Sequence, residues 1–261
     1  MNTNILKMNA YFSFHRIKLL AIRFFSEHWR RDLITLAVYF IAFAFVPRIT
    51  DYNNSAPFIL FSLILIVGGV RFAARIFHEI HHPSGGMHFL HIPASRLEKF
   101  LFNGVTTLLL YPAVCLLLSF GGTLFGNLLA PIMPSFFNYP TIDLSVLIPK
   151  HNIWEIATQF LLLHAIFFLG SLIFKKHPTT KTFLSIIVFG FAVMVVELIL
   201  IKIFLGGVST SSEIALNLKM ENLFGIMTSS ALLTFVNILV TAFVLFYLYI
   251  VSYFKFKEKQ V

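Results

Sequence analysis

The sequence predicts an all-α polytopic membrane protein with six transmembrane helices. Three observations carry that reading. Of 261 residues, 58% are hydrophobic and only 12% charged, about half the charged fraction usual for a soluble domain. Apolar runs near bilayer-spanning length recur along the whole chain. The basic residues cluster on alternate connections between those runs. The single cysteine, Cys115, lies inside an apolar run, which excludes both a disulfide framework and a cysteine-based metal site within one chain.

Residues 1–32 are predicted to form a cytoplasmic N-terminal interfacial helix. Arg16, Arg23, Glu27 and Arg30 fall at helical spacing on one face, and Ile17, Leu20, Ala21 and Phe24 line another. Such a helix lies along the lipid headgroups. The segment is basic throughout and lacks a separate apolar core followed by small residues, so no cleavable signal is expected. A six-span domain, 33–254, follows, with spans at about 33–49, 56–74, 100–126, 153–174, 182–205 and 225–254. The first is the weakest, because Leu33 to Val46 supplies only 14 uncharged residues before Pro47 and Arg48. Residues 255–261 form a basic cytoplasmic tail.

With the N-terminus inside, sixteen of the twenty Lys and Arg residues fall on the cytoplasmic side. Only Arg48, Lys150, Lys202 and Lys219 fall outside or near the outer face. That asymmetry predicts an inner (plasma) membrane protein with both termini cytoplasmic. The formal charge of +9 suits anionic inner-leaflet lipid and requires no nucleic acid.

The loop after the second span holds half of the ten histidines. It opens with RFAARIFHEIHH, where Arg71, Arg75, His78 and His82 share a polar helix face, and Phe72, Ile76, Phe77 and Ile80 form an apolar side. Pro83-Ser84-Gly85-Gly86 ends that helix. Farther on, Ser95-Arg96-Leu97-Glu98 is a capping box at the start of the third span. The Ser95 hydroxyl accepts from the Glu98 amide, and the Glu98 carboxylate reaches back to the Ser95 amide. Both residues are therefore assigned to helix capping.

The segment HIPASRLEKFL, together with the basic loop helix and its Gly-containing break, resembles the membrane-spanning permease subunits of type-2 ABC exporters. Pro93, Ala94, Ser95, Glu98, Lys99 and Phe100 match the Leu-Pro-Ala-Ser-x-x-Glu-Lys-Phe pattern that enters the third span in one bacterial subgroup, with Ile92 in place of the leucine. The resemblance implies that two permeases pair, as a homodimer or a heterodimer, and that each rests on a separate cytoplasmic ATPase. It implies a coupling helix at Phe72 to His82, docking the ATPase through Arg71, Phe72, Arg75, Ile76, His78, Glu79 and His82. It further implies re-entrant segments between Gly206 and Gly225. This chain has no G-x-x-x-x-G-K-[ST] motif, so ATP and Mg²⁺ would be held by the partner, and the chain itself is not expected to be an enzyme.

Two metal readings compete at the same histidines. His78-Glu79-Ile80-His81-His82 fits H-E-x-x-H, the zinc-protease helix motif. It also fits H-x-x-H-H, one box of a membrane di-iron oxygenase, with His78, His81 and His82 as ligands. The protease reading places the motif in a loop instead of a span, and the oxygenase reading lacks its other boxes. A scaffold protein without a transported substrate is a third alternative. Deep in the apolar segments sit two ionisable side chains, Glu197 and His164, assigned either to a substrate path or to interhelical hydrogen bonds. The abundant phenylalanine is read as lipid-facing surface.

Overall fold

The computed structural model describes residues 13–49, 56–81, 92, 94–132, 142–143, 147, 153–205 and 230–259. Every regular element among them is helical. The helices are α1 (Phe14–Ile49), α2 (Ala56–Arg75), α3 (Arg96–Leu129), α4 (Ile153–Ile173), α5 (Pro178–Leu205) and α6 (Ser230–Glu258), with a 3₁₀ turn, His78–His81, after α2. Among the described residues, five helices are long and apolar enough to cross a membrane: Ala56–Arg75, Arg96–Leu129, Trp154–Ile173, Pro178–Leu200 and Ile238–Glu258. The chain is an integral membrane protein.

The first expectation to change is the N-terminus. No break separates an interfacial helix from a first span; α1 is one helix of 36 residues, about 54 Å long at 1.5 Å per residue. The physical reason lies in the sequence, because no Gly or Pro occurs between Phe14 and Val46 and nothing stops the helix until Pro47 in its last turn. The apolar face expected to lie on headgroups packs on protein instead. Leu20 is buried, and the Phe24 ring sits 5.9 Å from Phe102 on α3 and 6.4 Å from Phe72 on α2.

Farther along, α1 packs closely on α3. Gly122 and Gly126 of α3 face it one helical turn apart, and a Cβ on Gly122 would stand 2.8 Å from the Phe40 carbonyl oxygen and the Phe43 Cβ. This small-xxx-small spacing lets two backbones approach in lipid. Arg48, fully buried, ends the contact. Its guanidinium donates to the Ala44 carbonyl (2.7 Å), the Thr123 carbonyl (2.8 Å) and the Asn127 Oδ1 (2.6 Å). Asn127 in turn exchanges two 3.0 Å hydrogen bonds with the Ile142 backbone. A buried cation costs several kcal/mol unless its donors are met; here three oxygens meet the two terminal nitrogens, while the buried Nε has no partner among the described residues.

The phenylalanines divide between two roles, which corrects the lipid-facing reading. Phe77, Phe168 and Phe256 are buried in one cluster, with Phe100 packed on it; ring centroids lie 5.1 Å apart for Phe77–Phe168 and 5.2 Å for Phe77–Phe256. This cluster fastens the turn after α2 to α3, α4 and α6. Phe183, Phe189, Phe191, Phe243 and Phe246, on α5 and α6, are exposed, as lipid-facing side chains are.

The α1–α3 contact gives a direct test. Gly126→Val would drive a branched side chain into the Arg48 guanidinium and the Ala44 carbonyl and is expected to destabilise the protein by about 1–3 kcal/mol or more. Gly190 has nothing within 4 Å of a built Cβ, so Gly190→Ala is expected to be neutral, or stabilising by up to about 1 kcal/mol. Thermal unfolding in detergent measures both.

Candidate functional site

The basic end of the bundle is organised by one carboxylate. Glu98 is fully buried, and the capping box at the start of α3 is complete: the Glu98 amide donates to Ser95 Oγ (3.2 Å), and Glu98 Oε2 accepts from the Ser95 amide (2.7 Å). The other oxygen reaches a second helix. Glu98 Oε1 accepts from the Ser13 amide at 2.5 Å and pairs with Arg16 Nη2 at 3.1 Å. The Ser13 carbonyl accepts the first helical hydrogen bond of α1, from the Ile17 amide. A single carboxylate thus meets the positive ends of two helices and one guanidinium.

Between α1, α2, α3 and the start of α5 lies a cavity of about 830 Å³. At the basic end it is lined by Arg23, Arg71, Arg75 and Lys99, with Glu27 and Asp32 beside them; Arg23 pairs with Glu27 at 2.7 Å. Deeper, the lining becomes Phe72, Tyr39, Tyr111, Cys115 and Leu118. Irregular helix geometry bounds this inner part. Ile64–Gly68 of α2 and Thr106–Leu110 of α3 are π-helical, and the Tyr111 hydroxyl, just past the second π segment, donates to the Ile64 carbonyl at 2.7 Å. A π turn leaves carbonyls off the regular ladder, and the phenol meets one. Gly68 is required for this contact, since a Cβ there would overlap the Tyr111 hydroxyl and lie 2.9 Å from that of Tyr39. Neither the π turns nor Tyr111 is expected from hydrophobic periodicity. The Gly68-Gly69 pair inside an apolar run was the available signal.

The histidine loop is less helical than its sequence pattern. The α-helix ends at Arg75, Ile76 and Phe77 form a turn, and a 3₁₀ turn spans His78–His81. The physical reason is Phe77, whose side chain enters the aromatic cluster and turns the chain inward. Arg71, Arg75 and His78 are exposed, and Phe72 and Ile76 half-buried. The Glu79 side chain and all of His82 and Pro93 lie outside the described residues, as do the expected re-entrant segments. His81 faces the protein: its Nε2 donates to the Ser171 carbonyl at 2.7 Å, and Lys259 Nζ lies 3.1 Å from Nδ1. Both His81 ring nitrogens are thus engaged within the protein; His82, the partner of His78 in the zinc motif, lies outside the described residues.

The two intramembrane residues are far from equivalent. His164 on α4 is fully buried, with Nδ1 2.7 Å from the Tyr249 hydroxyl of α6 and its ring stacked 5.5 Å from Phe168. Glu197 is exposed on α5 and does not line the cavity.

The His81 latch predicts a pH dependence. Burial holds the imidazole below its ordinary value; the Ser171 hydrogen bond opposes this, and the charges of Lys259, His78 and Lys175 reinforce it. Burial and nearby lysines lower Lys259 as well. A folded-state value below the unfolded one gives stability that is complete above the usual imidazole range, about 6.5, and lost as the pH falls below it. The unfolding temperature is expected to drop between about pH 7 and pH 5, and to drop less in His81→Gln. An unchanged slope in that variant would contradict the latch.

Comparison of the chain with family models, with curated sequences and with solved structures returned no match.

Proposed function

We propose that this chain is the membrane-spanning permease subunit of an ATP-driven exporter of the type-2 ABC class, with six spans and both ends in the cytoplasm. In this reading the apolar half of α1 is the first span, and a separate ATPase docks against the turn after α2. The carrying observation is the exposed basic edge formed by Arg71, Arg75 and His78, held in place by Phe77 in the aromatic cluster. Among the described residues Arg71 and Arg75 have no carboxylate partner. A cationic edge on a fixed turn suits an acidic groove on a soluble partner.

The motif behind the resemblance also has physical content. Ser95 and Glu98 cap α3 and hold α1; Lys99 lines the cavity; Phe100 stacks among Phe77, Phe168 and Phe256. These are the parts that would carry movement from a docked ATPase into the helices. ATP and Mg²⁺ belong to that partner, and the permease pairs with itself or with a related chain.

Purification from native membranes tests the reading. A soluble ATPase is expected at about one per permease, and Arg71→Glu with Arg75→Glu is expected to weaken its retention by more than about tenfold while leaving the helical content intact. If no ATPase accompanies the wild-type chain, the exporter reading fails and a non-transporting membrane scaffold takes its place.

A further inference from the structure

The cavity between α1, α2, α3 and α5 has a chemical gradient along its length, and Arg71 and Arg75 at its basic end are also part of the edge proposed to dock the ATPase. Its α3 wall is one helical stripe, Lys99, Asn103, Thr106, Leu110, Val114 and Leu118, at successive spacings of three or four residues. The stripe is cationic, then polar, then wholly apolar. Nineteen residues separate its ends, about 28 Å of helix, close to the thickness of a bilayer's hydrocarbon core. Lys99, Asn103 and Thr106 are nearly buried, at 4%, 6% and 4% exposure, so the polar half of the stripe lies inside the protein instead of at its surface.

Charge at the cavity's basic end is unbalanced. Arg23, Arg71, Arg75 and Lys99 face two carboxylates, Glu27 and Asp32, and Arg23 is already paired with Glu27. The first turn of α5 also lines this end through Pro178, Thr179 and Thr180, so the positive pole of a 28-residue helix adds to the field. His177, just before it, adopts a left-handed backbone (φ 51°) that sets α5 off from α4. The volume, about 830 Å³, falls within the roughly 300–1,000 Å³ of small-molecule sites.

We infer that this cavity binds an anionic amphiphile, with a phosphate headgroup among Arg71, Arg75 and Lys99 and an alkyl chain running past Thr106 towards Tyr111, Val114 and Leu118. Phosphate suits guanidinium and ammonium donors, and a carbon chain suits the apolar depth. The inference concerns binding to this chain with no ATPase docked on Arg71 and Arg75.

The test is equilibrium binding of radiolabelled dodecyl phosphate to the purified full-length protein in phosphatidylcholine nanodiscs. Saturable binding at one per chain is expected. Lys99→Met, and separately Arg71→Gln with Arg75→Gln, should each weaken it by about tenfold or more, whereas Lys257→Gln, on an exposed residue of α6, which does not line the cavity, should not. Val114→Trp fills the deep end without touching a charge, so it should exclude dodecyl phosphate while butyl phosphate still binds. Wild-type affinity in both charge variants would overturn the inference, as would equally tight binding of dodecyltrimethylammonium. Inorganic phosphate that displaces the probe as effectively as dodecyl phosphate would overturn the amphiphile and leave a site for free phosphate.

Discussion

The basic end of this bundle depends on where the Glu98 carboxylate is held. A buried carboxylate is tolerable only when its charge is met on all sides. Glu98 achieves this with the Ser95 amide, the Ser13 amide and the Arg16 guanidinium. Two of these partners belong to the start of α1, some eighty residues away in the chain. Without them the start of α1 would have only its apolar face to position it, and such contacts are weakly directional. The carboxylate fixes the rotation and height of α1 against α3, and thereby where Arg23 meets Lys99 across the cavity.

The rest of the bundle divides into close packing and deliberate gaps. Gly122 and Gly126 bring α1 and α3 together on one side, with the terminal nitrogens of Arg48 held by three oxygens at the end of the contact. On the other side, the π turns of α2 and α3 and the large side chains of Tyr39 and Tyr111 bound the cavity and keep the helices from closing on it. A backbone carbonyl released within lipid has no water to turn to. The Tyr111 hydroxyl meets the Ile64 carbonyl, so the irregularity that shapes the cavity is also internally satisfied. Gly68 leaves the space for that phenol. The same economy governs the far side of the basic end, where His81 ties the turn after α2 to α4 and to Lys259 past the end of α6.

How much of this was legible in the sequence follows the range of the interactions. The helices and their approximate ends were readable because apolar runs and the absence of Pro and Gly are local facts. The capping box was readable too, since Ser95 and Glu98 are three residues apart and their geometry is set by one helical turn. The second role of Glu98 was not, because nothing local joins Ser13 to residue 98. The interfacial helix was expected to end at Asp32 and the first span to begin at Leu33, yet no Gly or Pro there ends the helix. In the histidine loop the pattern of Arg71, Arg75 and His78 was visible, but the inward turn depends on Phe77 finding Phe168 and Phe256 far along the chain. Lys99 was noticed only as part of a motif. Its place in the cavity wall appears once Asn103, Thr106, Leu110, Val114 and Leu118 are seen to share one face.

The claim on which this account rests is that Glu98 holds the start of α1 against the start of α3. The most direct measurement is the distance between spin labels at Phe14 and Arg96, both exposed, in a Cys115→Ala background in nanodiscs, by pulsed electron spin resonance. A narrow, single distance distribution is expected with Glu98 intact, and a broad one with Glu98→Gln, which removes the charge and retains the size. Distributions of equal width in the two proteins would contradict the account, because the start of α1 would then be held without Glu98.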